Sequence, residues 1–396
     1  MMEELSLYFE PVSLHDVDFF PVKERAHRIG DRLHIFTEEE AFPELDSIRI
    51  ALFGVAEERK AYQNTGCSLG ANEIRKQLYA LYGFKEMPEV ADLGNLRCGK
   101  TVEDTYRIVQ EVCAALISQQ TIPVILGGSQ DLTYANYLAY EQLQEVINIT
   151  SVDTRFDIGN KLGEDASNAY FHKIILRKPN YLFNYTNLGY QSYFVDPDDV
   201  ALMQKLKFDA YRFGKLHEEL FFCEPILRDT TLLSIDMAAV RFSDAPGCRH
   251  TSPNGFNGQE ICALCRFAGA SNRLSSLGIY EYNPTFDIAD QSAKLIAEML
   301  WYFMEGFSLR QNDQPDLMKE DYIKYIVGIQ EGLYQVIFYE NKTSHRWWME
   351  VPCTHKKSRY EQMYLIPCSP KDYEAACRNE LPERWLANFQ KLEENS

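Results

Sequence analysis

Short apolar runs alternate with longer amphipathic segments through the central part of the chain. The apolar runs, each predicted to be a buried strand, cover residues 48–55, 121–128, 146–157, 230–240 and 274–283. Amphipathic segments predict helices within 64–84, after a Gly-rich loop, and over 101–120, 131–143 and 290–307. Residues 92–96 are short and turn-like. Strands that alternate with helices in this way predict an α/β fold, in which a mainly parallel sheet carries helices on both faces.

Polar clusters follow four of the predicted strands. They read LGGSQD (126–131), SVDTRFD (151–157), SIDMAA (234–239) and YEYN (280–283). In an open parallel sheet, ligands bind beyond the carboxyl ends of the strands. The pattern therefore predicts one site that all four clusters line.

The N-terminal and C-terminal parts of the chain have a different pattern of apolar and polar residues from this central part. Residues 1–47 are polar and mixed and predict no definite element, so they are treated as an N-terminal extension before a domain at 48–314. Within a C-terminal extension at 315–396, residues 321–329 are compatible with a helix, and the segments around 341–344 predict a β-hairpin. A loop and one short amphipathic helix are predicted to follow. The hairpin, with Trp347, Trp348 and Trp385 nearby, packs either on the core or on a protein partner.

Composition narrows the class of protein. The chain has 396 residues, 45% of them apolar, and 58 acidic against 40 basic residues give a net charge of −18. This acidic balance argues against nucleic acid and anionic membranes as general partners. We expect no membrane span and no secretory signal. Ten irregularly spaced cysteines then predict reduced thiols and a cytoplasmic protein.

The four strand-end clusters resemble the motifs of the arginase (ureohydrolase) family, which includes agmatinase and formimidoylglutamase. Where the family carries GGDH, DAHxD, SxDxDxxDP and xExNP, this chain has GGSQ (127–130), DTRFD (153–157), SIDMAAVRF (234–242) and YEYNP (280–284). The segment APGCRHTSPNGFNGQE (245–260) also follows the third motif in step with the family. The resemblance covers about residues 48–310 and is nearest to formimidoylglutamase. It implies a three-layer arginase-like fold and hydrolysis of a C–N bond at two manganese ions.

Three of the six metal-ligand positions implied by the resemblance are changed. Gln130 and Arg155 stand where the family has histidines, and Ala238 stands where it has an aspartate. The set implied for one metal survives as oxygen donors: Gln130, Asp153, Asp157 and Asp236. The second metal loses both of its own ligands, because arginine stays protonated and has no acceptor atom.

A binuclear manganese site is therefore not expected. We predict that the Arg155 guanidinium takes the second metal's place and bridges Asp153 and Asp236. The first position then holds either no metal or a single divalent cation, Mg²⁺, Ca²⁺ or Mn²⁺, of which the first two suit oxygen ligands best.

The remaining site residues are assigned through the same resemblance. Glu281 matches the glutamate that contacts the substrate's guanidinium or formimino group, although a strand-end cap is an equal alternative. Asn168, in SNAYF (167–171), matches a substrate loop. If catalysis survives, Asp157 or His250 is the candidate base, together with Glu281.

Three functional hypotheses follow. The leading one is a catalytically inactive homologue that binds a small cationic amidine-type ligand or a protein partner. The alternative is a divergent hydrolase that cleaves a linear amidine with at most one metal ion. The third is a structural subunit that docks through its aromatic C-terminal extension. A homo-oligomer is compatible with each of them.

Overall fold

The structure is a computed structural model that describes residues 5–20, 27–159, 166–311, 313, 315, 321–329, 332, 334–353 and 362–394. Its larger sheet contains β1 (Phe9–Glu10), β2 (His34–Ile35), β3 (Ile50–Val55), β4 (Val90–Leu96), β5 (Ile122–Leu126), β6 (Ile147–Val152), β7 (Leu182–Tyr190), β8 (Asp209–Arg212), β9 (Leu232–Asp236) and β10 (Ser276–Tyr280). The strand order is β1-β4-β3-β5-β10-β9-β6-β7-β8, with β2 beside β4. Only β1 runs antiparallel to its neighbour among these described strands. The predicted mainly parallel sheet is therefore confirmed.

Helices cover both faces of this sheet. In chain order they are α1 (Gly70–Ala80), α2 (Val102–Ser118), α3 (Leu132–Leu143), α4 (Tyr170–Ile175), α5 (Pro197–Lys205), α6 (Phe213–Glu218), α7 (Cys223–Asp229), α8 (Gly258–Gly269) and α9 (Gln291–Ser308). Helices α1, α8 and α9 share one apolar cluster with the sheet, whereas α2 and α3 pack on the opposite face. Alternate side chains of a strand point to opposite faces of the sheet. Apolar residues at successive strand positions therefore belong in turn to the cluster on one face and to the cluster on the other. The result is the expected three-layer α/β architecture.

One predicted turn is wrong. Residues 92–96 belong to β4, whose side chains are almost all buried. Asp92 makes this strand look polar in the sequence, yet it is fully buried because the Arg75 guanidinium donates to both of its carboxylate oxygens at 2.9 Å. Pairing with a buried cation is what allows a carboxylate inside a central strand.

Residues 5–20 and 27–47 of the N-terminal extension pack on the main sheet. Phe9 is buried on β1, and Val17 and Phe19 are buried in the cluster that α1 shares. The sequence predicted no element here because the strands are only two residues long.

The C-terminal extension forms a second sheet with two helices. Antiparallel strands β11 (Tyr322–Ile329), β12 (Tyr334–Asn341), β13 (Trp347–Cys353) and β14 (Gln362–Cys368) precede α10 (Pro370–Cys377) and α11 (Glu383–Glu394). The hairpin predicted around 341–344 is confirmed as β12–β13. The helix considered for 321–329 is wrong, because β11 pairs with β12 along its whole length. Two helices follow the sheet where one was expected.

The extension is joined to the main domain by polar contacts. The Lys391 Nζ on α11 donates to Asp209 Oδ2 at 2.6 Å and to Asn184 Oδ1 at 2.8 Å, at the starts of β8 and β7. Trp347, Trp348 and Trp385 are each less than a tenth exposed. They are therefore packed within this chain, and a protein partner at the extension stays a prediction. In the described residues, no helix is long and apolar enough to cross a membrane.

Candidate functional site

Four strand ends meet at one edge of the sheet, as the sequence predicted. Gln130 follows β5, Glu281 follows β10, Asp236 ends β9 and Asp153 follows β6, and these strands are neighbours in that order. All four side chains are buried or nearly so. Parallel strands bring these chain-distant residues together because their carboxyl ends share one edge.

The three aspartates converge on the side-chain amide of Gln130. With its nitrogen facing them, this amide donates to Asp157 Oδ2 at 2.7 Å and to the Oδ2 atoms of Asp153 and Asp236 at 3.2 Å each. The other amide atom then faces the hydroxyls of Ser151 and Ser234, each at 3.4 Å. An amide nitrogen among three carboxylates is well matched, since a carboxylate offers only acceptor sites when ionised.

The same aspartates also hold the local backbone. Asp153 Oδ1 accepts a hydrogen bond from the Arg155 backbone N–H at 2.9 Å, and Asp236 Oδ1 accepts one from the Ala238 N–H at 2.7 Å. Asp157 itself has a φ of +50°, in the left-handed region. Backbone strain of this kind in a non-glycine residue persists only where the surroundings impose it, and it clusters at functional sites.

Burial dominates the electrostatics of this cluster. It raises the pKa of Asp153, Asp157 and Asp236, and the charge of Asp153 raises the pKa of the other two further. The positive charge of Arg155 partly offsets the rise in all three. Crowded, desolvated carboxyls of this kind favour a proton or a bound cation.

Glu281 is held firmly beside the aspartates. Its Oε1 accepts a hydrogen bond from the Gln130 backbone N–H at 2.9 Å, and its Oε2 accepts one from Asn64 Nδ2 at 2.8 Å. Only 3% of the residue is exposed, its φ is +64°, and burial raises its pKa to about 7. Its contacts fit the predicted strand-end cap, and its charge and position also suit a ligand-binding role.

Arg155 does not form the predicted bridge. Its guanidinium lies over the Phe194 ring, 4.8 Å from the ring centre, and its side chain is half-buried. Within the described ranges, no ion pair of 4.0 Å or less joins this guanidinium to Asp153 or Asp236. The prediction was wrong because Phe194 offers a cation–π platform that the sequence does not reveal.

The two-manganese set implied by the motifs does not fit these residues. Ala238 has only a methyl group, and the Arg155 guanidinium has no lone pair that could bind a metal. The Gln130 amide already donates hydrogen bonds to the three aspartates. Among the residues that the structure describes, no group of three or more His, Cys, Asp or Glu side chains is arranged to hold a metal ion.

A small cavity opens above the cluster. Its volume is about 60 Å³, and its lining includes Asp157, Asp236, Glu281, Asn168 and His250. The His250 ring stacks on Tyr62, with ring centres 5.6 Å apart, and its Nε2 lies 2.7 Å from the Tyr62 carbonyl oxygen. Burial lowers the His250 pKa, so the ring favours its neutral form. The structure thus brings both sequence-predicted residues, Asn168 and His250, to the cavity.

A wider cleft lies beside this cavity. It has a volume of about 470 Å³ and shares Arg155, Asp157 and Asn168 with the inner cavity. Asp196 and Asp199 also line it. The described lining of this cleft therefore contains three aspartates and one arginine among mostly uncharged residues.

Sequence reasoning missed Asn64, Tyr62 and Ser167. Asn64 orients Glu281, and Tyr62 and Ser167 line the inner cavity. The available signal was weak: Asn64 begins the Gly-rich segment that precedes α1, and Ser167 precedes Asn168.

Comparison with known proteins places these observations in a family. The model of the arginase family matches residues 48–305. A formimidoylglutamase of Staphylococcus epidermidis is 26% identical over 267 residues, which cover 63% of this chain and 84% of the relative. The crystal structure of Bacillus subtilis formimidoylglutamase has a TM-score of 0.65 at 19% identity and covers 75% of this chain and 99% of that chain. A Trypanosoma cruzi formiminoglutamase with Mn²⁺ has a TM-score of 0.62 at 17% identity, over 68% and 96% of the two chains.

The two structural likenesses support the arginase-like fold, and the match to the family model spans more than half of the chain. The motif order found at the four strand ends agrees with both. The chain therefore belongs to the arginase family.

Proposed function

We propose that this protein binds a small cationic amidine-type ligand at the strand-end site and does not perform two-metal hydrolysis. One observation carries the proposal: Arg155 and Ala238 stand at the two positions that the motifs assign to the second metal. Two cations are what lower the pKa of a bridging water and turn it into a nucleophile. Without the second cation, that nucleophile is not generated in the same way.

The charge of the cavity supports a cationic ligand. Asp157, Asp236 and Glu281 line it, and Arg155 is the only arginine or lysine in its described lining. A planar amidinium group offers N–H donors in a geometry that suits carboxylates. The small inner volume accommodates the amidinium head group, and the wider acidic cleft accommodates the rest of the ligand.

Binding is tested with the full chain and guanidinium or formamidinium salts. Isothermal titration of the protein is expected to show saturable binding that weakens roughly tenfold or more in Glu281→Gln, which removes a charged acceptor. The exposed Glu86→Gln variant is the matched control. Equal affinity for the wild type and Glu281→Gln contradicts binding at this site.

Loss of two-metal chemistry is tested by metal analysis and reconstruction. We expect the purified protein to retain fewer than two manganese ions per chain, even after incubation with Mn²⁺. The triple variant Gln130→His, Arg155→His, Ala238→Asp is expected to gain manganese, because it restores the missing donors. Two manganese ions in the wild type contradict the proposal. Failure of the correctly folded triple variant to bind metal contradicts the assignment of these positions.

A divergent hydrolase with a single metal is the second candidate. The relatives named formimidoylglutamase favour it, and so does the spacing around Gln130. If an amide oxygen rather than a nitrogen faces the three aspartates, it lies 2.7 Å from Asp157 Oδ2 and 3.2 Å from the Oδ2 atoms of Asp153 and Asp236. A hard cation among these oxygens would relieve their repulsion. One bound divalent ion, with formamide released from a formimino substrate, establishes this function. Asp157 and His250 are then the bases to test.

A cytoplasmic location belongs to the same proposal. In the part of the chain that the structure describes, the cysteines are free, and most are buried. Free cysteines are typical of proteins in reducing compartments. Fractionation of cells that express the protein tests this location.

A further inference from the structure

A second cleft lies at the opposite end of the sheet, between the main domain and the C-terminal extension. Its volume is about 430 Å³, and α7, α8, the β12–β13 turn and the start of α10 form its walls. Its described lining contains three arginines, Arg228, Arg266 and Arg346, and one carboxylate, Glu224. Arg266 is paired with Glu305 at 2.7 Å, so Arg228 and Arg346 are the candidate donors to a ligand.

Arg228 is buried in the wall of this cleft without a full set of partners. The residue is 7% exposed, and its guanidinium lies 4.6 Å from the centre of the Trp348 ring. Its Nη2 donates to the Cys368 carbonyl at 2.9 Å, but its Nε and Nη1 have no hydrogen-bond acceptor. Glu224 Oε1 lies 3.3 Å from Nε without hydrogen-bond geometry. Buried donors in native proteins almost always have an acceptor, so these two donors favour a bound anion.

Arg346 reaches the same cleft from the extension and is also poorly satisfied. Its Nε lies 3.6 Å from Glu224 Oε1, and its Nη1 lies 3.3 Å from Asp313 Oδ2. Both Nη atoms approach the Ala270 carbonyl oxygen at 3.4 Å. Each of these distances exceeds the usual 2.7–3.2 Å range of such hydrogen bonds. Both guanidinium groups therefore lie near the same Glu224 oxygen at more than hydrogen-bond distance, and the Nε and Nη1 of Arg228 have no acceptor.

We propose that this cleft binds the phosphate group of a small molecule. A phosphate carries close to two negative charges and presents several oxygens in different directions. It can therefore accept hydrogen bonds from guanidinium groups on two separate elements, which a single carboxylate oxygen does not achieve. Because Arg228 belongs to the main domain and Arg346 to the extension, the bound phosphate ties the two together. This site goes beyond the ligand proposed for the strand ends and shares no residue with that site.

The test uses inorganic phosphate and the full chain at constant ionic strength. Isothermal titration is expected to show one saturable site, and phosphate is expected to raise the melting temperature. Arg346→Met is expected to weaken binding by roughly tenfold or more, and Arg346→Lys by less, since lysine keeps the charge but loses the planar fork. Arg378→Met, an exposed arginine of the same extension, is the matched control.

Several outcomes overturn the proposal. They include no saturable phosphate binding, or binding that is equal in the wild type and both Arg346 variants, which indicates an adventitious ion only. Saturable binding of a dicarboxylate without phosphate binding also overturns it. If Arg346→Met does not fold, Arg346→Lys and phosphorus-31 line broadening of the wild type still decide the matter. Asp236→Asn separates the two sites, because it is expected to leave phosphate binding unchanged.

Discussion

Replacing Glu281 by glutamine should change how the stability of the protein depends on pH. The carboxyl is 3% exposed, and burial raises its pKa from an ordinary value of 4.5 to about 7. A carboxyl whose pKa is higher in the folded chain than in the unfolded chain holds its proton more tightly when folded. Its effect on stability is therefore absent below pH 4.5, and stability falls as the pH rises from 4.5 to about 7.

The magnitude follows from that interval. At about 1.4 kcal/mol for each tenfold change in the ionisation constant, the rise to about 7 corresponds to about 3 kcal/mol of unfolding free energy. Glutamine cannot ionise, so the variant should lose this part of the pH dependence. Its new NH₂ group faces either Asn64 Nδ2 or the Gln130 N–H, and that mismatch costs about 1–3 kcal/mol at every pH. The pH dependence thus isolates the charge effect from the hydrogen-bond effect.

Urea unfolding at about pH 5 and about pH 8 measures the effect, with Glu86→Gln as the surface control. The unfolding free energy of Glu281→Gln relative to the wild type is expected to improve by about 2.5 kcal/mol between the two pH values, because a small part of the effect is already present at about pH 5. Asp236 adds to this change, because Glu281 raises the pKa of that neighbour as well. A difference that stays constant with pH refutes the reasoning, since the carboxylate would then be ionised at no cost in the folded protein.

Three further predictions concern the scaffold, and urea unfolding checks each one. Arg75→Met leaves the fully buried Asp92 without its cation and is expected to cost about 3–5 kcal/mol; a loss below about 1 kcal/mol contradicts this account of β4. Lys391→Met removes the donor to Asp209 and is expected to cost about 2 kcal/mol, so an unchanged stability would show that α11 is not anchored there. Gly128→Ala is expected to cost about 1–3 kcal/mol, because φ is +76° and the added methyl carbon would lie 2.8 Å from two backbone oxygens; a neutral substitution would contradict the described geometry.

The strand-end site could be predicted because it depends on chain-local signals. The apolar runs within 121–128, 146–157, 230–240 and 274–283 contain Gly127, Asp153, Asp236 and Glu281 near their ends. A parallel sheet collects such strand ends at one edge. The alignment of motifs then specified which side chains are changed. Both inferences use only short segments of sequence and a general rule of sheet topology.

The features that could not be predicted depend on contacts between distant segments. Phe194, which holds the Arg155 guanidinium, follows β7 in a polar loop and carries no local signature. Strand β7 itself was not predicted, because Asn184, Thr186 and Asn187 make it look like a loop. Asn184 and Asn187 donate hydrogen bonds to side-chain or backbone oxygens, and the strand pairs with β6 and β8. Polar strands near an edge lack the apolar pattern that identifies a buried strand.

The ion pair between Lys391 of α11 and Asp209 can form only late in the synthesis of the chain. Lys391 and Asp209 are 182 positions apart, and the ribosome synthesises the whole second sheet between them. During translation, the strands that carry Asp209 and Asn184 can therefore fold before Lys391 has been synthesised. In that interval, the two side chains lack the lysine that later donates to them. The polar side chains of Asn184 and Asp209 suit this delay, because water can solvate them until α11 is made and packs there. Apolar side chains at these two positions would instead expose an aggregation-prone surface on the nascent protein.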